Sequence, residues 1–257
     1  MSRVPEVAAR GFDATADQYE RFRPGYPADA IGWLVASCRI GPTATVCDLG
    51  AGTGKVTRLL TPTGASVVAV EPLDGMVTVL HRELPTVPAA VGVAEAMPLA
   101  DGSCTAITAG QALHWFDLDR ALPELRRVLE PGGRLGLLWN GWDDSVPWVR
   151  DVRDVVAAAG ASEQWLKGHR GDEWLHDAFG ASPLFGDLVQ QAFRNEVDTD
   201  PASVVERMAT TSHIAAKPDD ERAEVLAAVR EAVDGGADAE GRLRFPYRVD
   251  AYWCERT

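Results

Sequence analysis

The sequence predicts an α/β fold: a Rossmann-like, mostly parallel seven-stranded sheet with helices on both faces and a helical lid insertion. Three observations lead there. Between residues 43 and 140, short β-branched runs alternate with stretches of helical pattern, and strands that are apolar throughout belong in a parallel sheet buried on both faces. A glycine-rich turn, Gly50-Ala51-Gly52-Thr53-Gly54, follows the first of these runs and opens a helix. Beyond 190 the pattern becomes strand, helix, helix, strand, which adds a hairpin-like pair at one edge of the sheet.

In chain order, residues 4–40 read as two helices around the turn Arg23-Pro24-Gly25-Tyr26-Pro27. Residues 45–49 form the first strand, and the helix that starts at 55 is ended by Pro62 and Gly64. The second strand is 66–71, after which Asp74 is suited to cap a helix running to about Leu84. The third and fourth strands are 89–93 and 105–108. Residues 119–129 place Ala121, Leu122, Leu125, Val128 and Leu129 on one helical face, and Pro131-Gly132-Gly133 interrupts before a fifth strand at 134–139. The expected organisation is a core with its N-terminal helices over 1–140, a helical insertion or lid over 141–190, and a C-terminal part over 191–257 with strands at 191–197 and 244–255.

A chain of 257 residues that is 46% hydrophobic supplies a sizeable core. Its net charge of −13 repels phosphate backbones, so no nucleic-acid partner is expected. Cys38, Cys47, Cys104 and Cys254 form no C-x-x-C pair, which argues against a zinc or disulfide framework, and no metal is expected. Residues 1–10 lack an apolar core and no run reaches about 18 apolar residues, so the reading is cytoplasmic with no membrane partner. With no coiled-coil seam, the expected state is a monomer or a loose homodimer.

Asp48-Leu49-Gly50-Ala51-Gly52-Thr53-Gly54-Lys55 carries the chemistry of the first half. Its glycines allow a tight turn and close approach to a ligand, and Glu71, at the end of the second strand, can accept both hydroxyls of a ribose. The spacing is G-x-G-x-G rather than the G-x-G-x-x-G of dinucleotide sites. Asp48 would repel a pyrophosphate but suits a cationic amino acid ligand, by ordering the loop or by reaching its ammonium. The turn Gly92-Val93-Ala94-Glu95-Ala96-Met97-Pro98-Leu99 can read an adenine edge.

Together with Gly110-Gln111-Ala112-Leu113-His114-Trp115-Phe116-Asp117 and Arg127-Val128-Leu129-Glu130-Pro131-Gly132-Gly133, these motifs resemble the class I S-adenosylmethionine-dependent methyltransferases. The resemblance is greatest to the branch of the trans-aconitate and farnesoic-acid-type enzymes, which residues 12–19 and 23–27 also fit. It implies that Gly50, Gly52 and Gly54 line the methionine moiety with Asp48 behind, and that Glu71 binds the ribose. It implies too that Pro72, Ala94 and Glu95 contact adenine, that Gln111 offers its backbone to the ammonium, and that Tyr19 and Arg23 close over S-adenosylmethionine. S-adenosylhomocysteine would be the product.

Methyl transfer from a sulfonium is an in-line displacement, and a base is needed only when the nucleophile arrives protonated. His114 is the candidate base, its alternative role being to shape the pocket. Trp115, Trp139, Asn140 and Trp142 are the candidate acceptor contacts, part of a tryptophan-rich stretch that continues with Trp148, Trp165 and Trp174. The expected acceptor is a small molecule methylated on a carboxyl or hydroxyl oxygen. S-, N- or C-methylation in a natural-product pathway, or binding without catalysis, are the alternatives.

Overall fold

The computed structural model describes residues 16–161 and 173–257. Residues 12–15 of the N-terminal motif, Trp165 and His169 lie outside the described residues. Two helices, α1 (Ala16–Phe22) and α2 (Ala28–Ser37), precede a core built from β1 (Thr45–Leu49), α3 (Thr57–Leu60), β2 (Ser66–Glu71), α4 (Asp74–Glu83), β3 (Ala89–Val91), β4 (Cys104–Gly110), α5 (Leu118–Val128) and β5 (Leu129–Trp142). Then follow α6 (Pro147–Ala158), α7 (Glu173–Gly180), β6 (Val189–Thr199), α8 (Pro201–Ala209), α9 (Ser212–Ala215), α10 (Asp219–Asp234) and β7 (Leu243–Glu255).

The seven strands form one sheet in the order β3-β2-β1-β4-β5-β7-β6. The first five run parallel, while β7 pairs antiparallel with both β5 and β6. The expected edge hairpin is therefore present, and the sheet is mixed. Val46, Cys47, Leu49, Ala69, Val70 and Ile107 are buried, as strands covered on both faces require. One apolar cluster holds Leu135, Leu137 and Leu125 against Phe179 and Tyr252; a second, on the other face, packs Leu34 and Leu60 against Val46 and Leu138.

Three local details differ from the sequence reading. Asp74 is the first residue of α4 rather than its cap, because Leu73 holds the extended capping position and no side chain bonds there. Pro131-Gly132-Gly133 does not precede β5 but bulges within it, where the register with β4 shifts between Cys104 and Ala106 and Gly132 takes φ +73°. The fourth strand is also longer than expected, reaching Gly110.

Helix α8 starts where Asp200 accepts the Ser203 N–H (3.0 Å) and Pro201 opens the first turn. A third apolar cluster joins Val149, Val152 and Val156 of α6 to Val204 and Met208 of α8, Val229 and Val233 of α10, and Phe245 and Tyr247 of β7. Stretches 147–158 and 201–234 thus share one core, tied to the sheet by β7. No helix of the described residues is long and apolar enough to cross a membrane.

Candidate active site

β1 and β4 are neighbours in the sheet although β2 and β3 intervene in sequence. Connections leaving their C-terminal ends diverge to opposite sides, and doubly wound sheets bind ligands in the crevice that results. A cavity occupies this position. Its wall contains Tyr19, Arg23, Asp48, Gly50, Gly52, Glu71, Pro72, Ala94, Glu95, Gln111, His114, Trp115, Asn140 and Trp142, which is every expected site residue except Gly54 and Trp139.

The loop after β1 is shaped by its glycines. Gly50 sits at φ +64°, and a Cβ there would come within 2.6 Å of the Ala112 Cβ. Gly52, at φ +56°, has nothing within 4 Å of its missing Cβ, so it borders open cavity that a side chain would fill. Gly54 lies off the wall: its Cβ would meet Leu84 at 2.8 Å, so this glycine serves the close packing of α4.

Glu71 is buried, at 6% exposure, and both of its carboxylate oxygens are engaged. Oε2 accepts the Gly52 N–H (2.9 Å) and Oε1 accepts the Leu73 N–H (3.1 Å). Glu71 so held forms part of the cavity wall beside Gly52. Asp48 lies beneath the loop and accepts from Thr57 Oγ1 (2.5 Å) and Thr108 Oγ1 (2.9 Å). Burial outweighs these bonds and pushes its carboxyl up to about 6.

Helix α1 is latched onto this loop by Glu20. Its carboxylate accepts the Thr53 hydroxyl (2.5 Å) and pairs with Arg58 (2.8 Å) and Lys55 (3.4 Å), and its carbonyl accepts from Lys55 Nζ (2.8 Å). The latch holds Tyr19 and Arg23 over the cavity. Arg23 stacks on the Tyr19 ring at 5.4 Å, and its buried Nε has no hydrogen-bond partner among the described residues. Burial pushes the Tyr19 phenol up, which keeps it a neutral hydroxyl.

The opposite wall is the segment after β4. Gln111 takes φ +54°, its N–H donates to Leu138 O (2.9 Å) and its side chain to Asn140 O (2.8 Å), which pins the segment to β5. With that N–H engaged, the carbonyl is the backbone group Gln111 retains for a ligand. His114 and Trp115 follow in one 3-10 turn, their rings 5.0 Å apart. Glu95 accepts the Asp117 N–H (2.7 Å), which ties the turn after β3 to the start of α5.

The aromatic expectation divides. Trp142 reaches the cavity and stacks edge-on with Phe245 at 5.7 Å. Trp139 instead faces the main core, edge-on to Trp174 (6.0 Å) and Tyr252 (5.9 Å), and Trp148 packs on Phe245 at 5.1 Å. The Asn140 amide is engaged within the protein, donating to Gly25 O (3.1 Å) and accepting from Asn195 (3.0 Å). The sequence reading did not single out Glu20, Thr57, Thr108 or Arg207. Among the described residues no group of three or more His, Cys, Asp or Glu is placed to hold a metal ion.

The methyltransferase domain family model matches residues 47–137. An uncharacterised methyltransferase of Mycobacterium tuberculosis is 46% identical over 149 residues, 58% of this chain and 60% of that protein. A demethylmenaquinone methyltransferase of Clavibacter sepedonicus is 33% identical over 168 residues, 62% of this chain and 68% of that protein. The chain belongs to the class I S-adenosylmethionine-dependent methyltransferases. A solved type II methyltransferase structure from Anaeromyxobacter dehalogenans superposes on this methyltransferase with a TM-score of 0.64 and 28% identity, covering 91% of this chain and 97% of that one. The match with the mycobacterial relative spans about 60% of that protein's length.

Proposed function

We propose that the chain transfers the methyl group of S-adenosylmethionine to a carboxyl or hydroxyl oxygen of a small-molecule acceptor by in-line displacement. One observation carries this reading. The glycine loop with Glu71 and the His114–Trp115 turn line the same cavity, so a donor pocket and a candidate proton acceptor share one space. The open space at Gly52 and the buried Glu71 carboxylate on the cavity wall fit the donor.

S-adenosylmethionine supplies an already activated sulfonium methyl, so the protein's part is alignment and exclusion of water, worth roughly 7–11 kcal/mol. Glu71 would hold the ribose hydroxyls. Arg23, whose Nε lacks a partner, would take the carboxylate, and the Gln111 carbonyl and Asp48 would face the ammonium. Gly50, Gly52 and Gly54 would form the loop around the methionine part, with Pro72, Ala94 and Glu95 at adenine and Tyr19 closing from α1. His114 would accept the proton of a hydroxyl acceptor; a carboxylate needs no such help. Trp115, Trp142 and Asn140 would border the acceptor, with Trp139 supporting them from the core.

The helices of 141–190 would cover the acceptor side, and the trans-aconitate or farnesoic-acid-type branch is the one we favour from the motifs at 12–27. The Clavibacter relative is named for demethylmenaquinone, a small molecule, and the charge of −13 argues against a nucleic acid. Four buried free cysteines suit a reducing cytoplasm. A monomer or loose homodimer completes the reading.

The test is transfer of labelled methyl from S-adenosylmethionine to a panel of carboxylic acids, phenols, thiols and amines. Label in a base-labile product identifies an ester, and label in an ether supports the hydroxyl alternative. Label confined to thioether, amine or carbon products overturns O-methylation.

A further inference from the structure

Tyr26 lies in the turn between α1 and α2, and the turn is fixed in place. The Gly25 carbonyl accepts from Asn140 Nδ2 (3.1 Å) and Asn195 Nδ2 (3.0 Å), which ties it to β5 and β6. Pro24 and Pro27 stiffen the backbone on either side. The Tyr26 ring packs against the apolar cluster of Leu34, Val46 and Val56. Its hydroxyl lies over Gly110, the last residue of β4. A Cβ on Gly110 would come within 2.8 Å of that hydroxyl and within 2.6 Å of Val56 Cγ2. Gly110 is not among the glycines with positive φ, so the space above it, and not its backbone, calls for glycine there.

Tyr26 and Gly110 both belong to the cavity wall. The hydroxyl has no hydrogen-bond partner among the described residues, and unlike the Arg23 Nε it is not closed off from solvent. It stands where two parts of the wall meet. Asp48, under the glycine loop, is near enough for its charge to act on the phenol, and Gln111 follows Gly110 directly. Asn140 and Trp142 lie at the end of β5, to which the Gly25 carbonyl is bonded. Burial, with Tyr19 and Asp48 adding to it, pushes the phenol well above its usual range and keeps it protonated. It is therefore a dipole and not a base. A hydroxyl that bonds to nothing in the fold gives the packing nothing that phenylalanine would lack, so its use lies with what enters the cavity.

We infer that the Tyr26 hydroxyl oxygen faces the charged sulfonium end of the donor, and so adds to the hold on S-adenosylmethionine without adding to that on the neutral thioether S-adenosylhomocysteine. This rests on the methyltransferase reading above, in which Glu71 holds the ribose, the Gln111 carbonyl takes the ammonium and the acceptor lies toward Asn140 and Trp142. In that arrangement the sulfonium joins the ribose to the amino acid part and turns its methyl toward the acceptor, and Tyr26 over Gly110 stands between those two sets of residues. The oxygen has lone pairs to offer a positive charge and nothing comparable to gain from a neutral sulfur. Tyr26 thereby favours the donor over the product, and its proton stays on its own oxygen.

The experiment is calorimetric titration of the full chain and of Tyr26→Phe with three ligands: S-adenosylmethionine, S-adenosylhomocysteine and sinefungin, in which a protonated amine takes the place of the sulfonium methyl. Tyr26→Phe weakens S-adenosylmethionine and sinefungin by about 3- to 10-fold, the range for one hydrogen-bonding group, and leaves S-adenosylhomocysteine unchanged. The ligand-free variant melts no lower than the wild type. An equal loss for all three ligands places the hydroxyl at the amino acid end of the donor, and unchanged affinity for the two cationic ligands takes it out of the donor site; either result overturns the assignment. So does a lowered melting temperature, which would reveal a bond within the fold. A wild type that binds none of the three overturns the methyltransferase reading and the assignment with it, whereas intact binding that is indifferent to Tyr26→Phe overturns the assignment alone.

Discussion

Replacing Asp48 with asparagine tests the electrostatics under the glycine loop. The carboxyl is buried and titrates at about 6, against 3.8 for a free side chain. Burial raises it, and the hydroxyls of Thr57 and Thr108 only partly compensate. Because the folded value lies above the unfolded one, the folded state holds the proton more tightly. The associated stability is complete below about pH 3.8, declines as pH rises, and is lost above about pH 6. At 1.36 kcal/mol for each pH unit that loss is about 3 kcal/mol. Asparagine has the same shape and no charge to desolvate, and threonine hydroxyls can both donate to and accept from its amide. Urea unfolding of both proteins from pH 4 to 8 measures the effect. The stability of Asp48→Asn relative to wild type should rise by about 2.4 kcal/mol across that range, part of the change being already past at pH 4. A second readout uses the donor: a cationic ligand favours ionised Asp48, so S-adenosylmethionine binding near pH 6 should release a proton in the wild type and not in the variant. A stability difference that stays flat between pH 4 and 8 would refute the reasoning.

Glu71→Ala should weaken S-adenosylhomocysteine binding by about 1.5–3 kcal/mol in titration calorimetry; unchanged affinity removes Glu71 from the donor site. With a phenol acceptor, His114→Ala should lower kcat roughly 10²–10⁴-fold while donor affinity holds, and a near-normal rate would assign His114 to packing. Glu20→Ala removes the Thr53, Lys55 and Arg58 contacts of α1. Amide exchange over 16–22 should speed up and S-adenosylhomocysteine should dissociate faster, by about 1–2 kcal/mol for a largely buried charge cluster. Unchanged exchange would mean that the latch does not hold the helix.

What the chain reveals on its own is whatever depends on neighbours in sequence. Thr45–Leu49 and Ser66–Glu71 are apolar, β-branched runs, and both are strands with the expected bounds. Glu71 stands at a set distance in sequence from Gly52, whose N–H it accepts, so its place at the cavity was legible as well. The site residues that escaped notice have partners far along the chain. Thr108 meets Asp48 across 60 residues, and Glu20 meets Thr53 across 33. A threonine in a strand or a glutamate in a short helix carries no local mark of such a bond. Arg207, which donates to the Tyr247 hydroxyl 40 residues away, did carry one: it interrupts the apolar stripe of Val204 and Met208 at helical spacing. Trp139 and Trp142 were indistinguishable by composition; three residues apart in β5 they take opposite faces, but alternation does not say which face is core and which borders the cavity.

The position of β7 has a consequence for how the molecule is assembled. It lies between β5 and β6, both made before it, and pairs Arg134 with Glu255 at one end and Val197 with Phe245 on its other side. Until residues 243–255 emerge, β5 keeps an unpaired edge and β6 has no neighbour at all. Closing such distant pairs is slow, because the chain's loop entropy must be overcome before the contacts form. A nascent chain arrested before 243 should therefore expose the flank of β5 to chaperones.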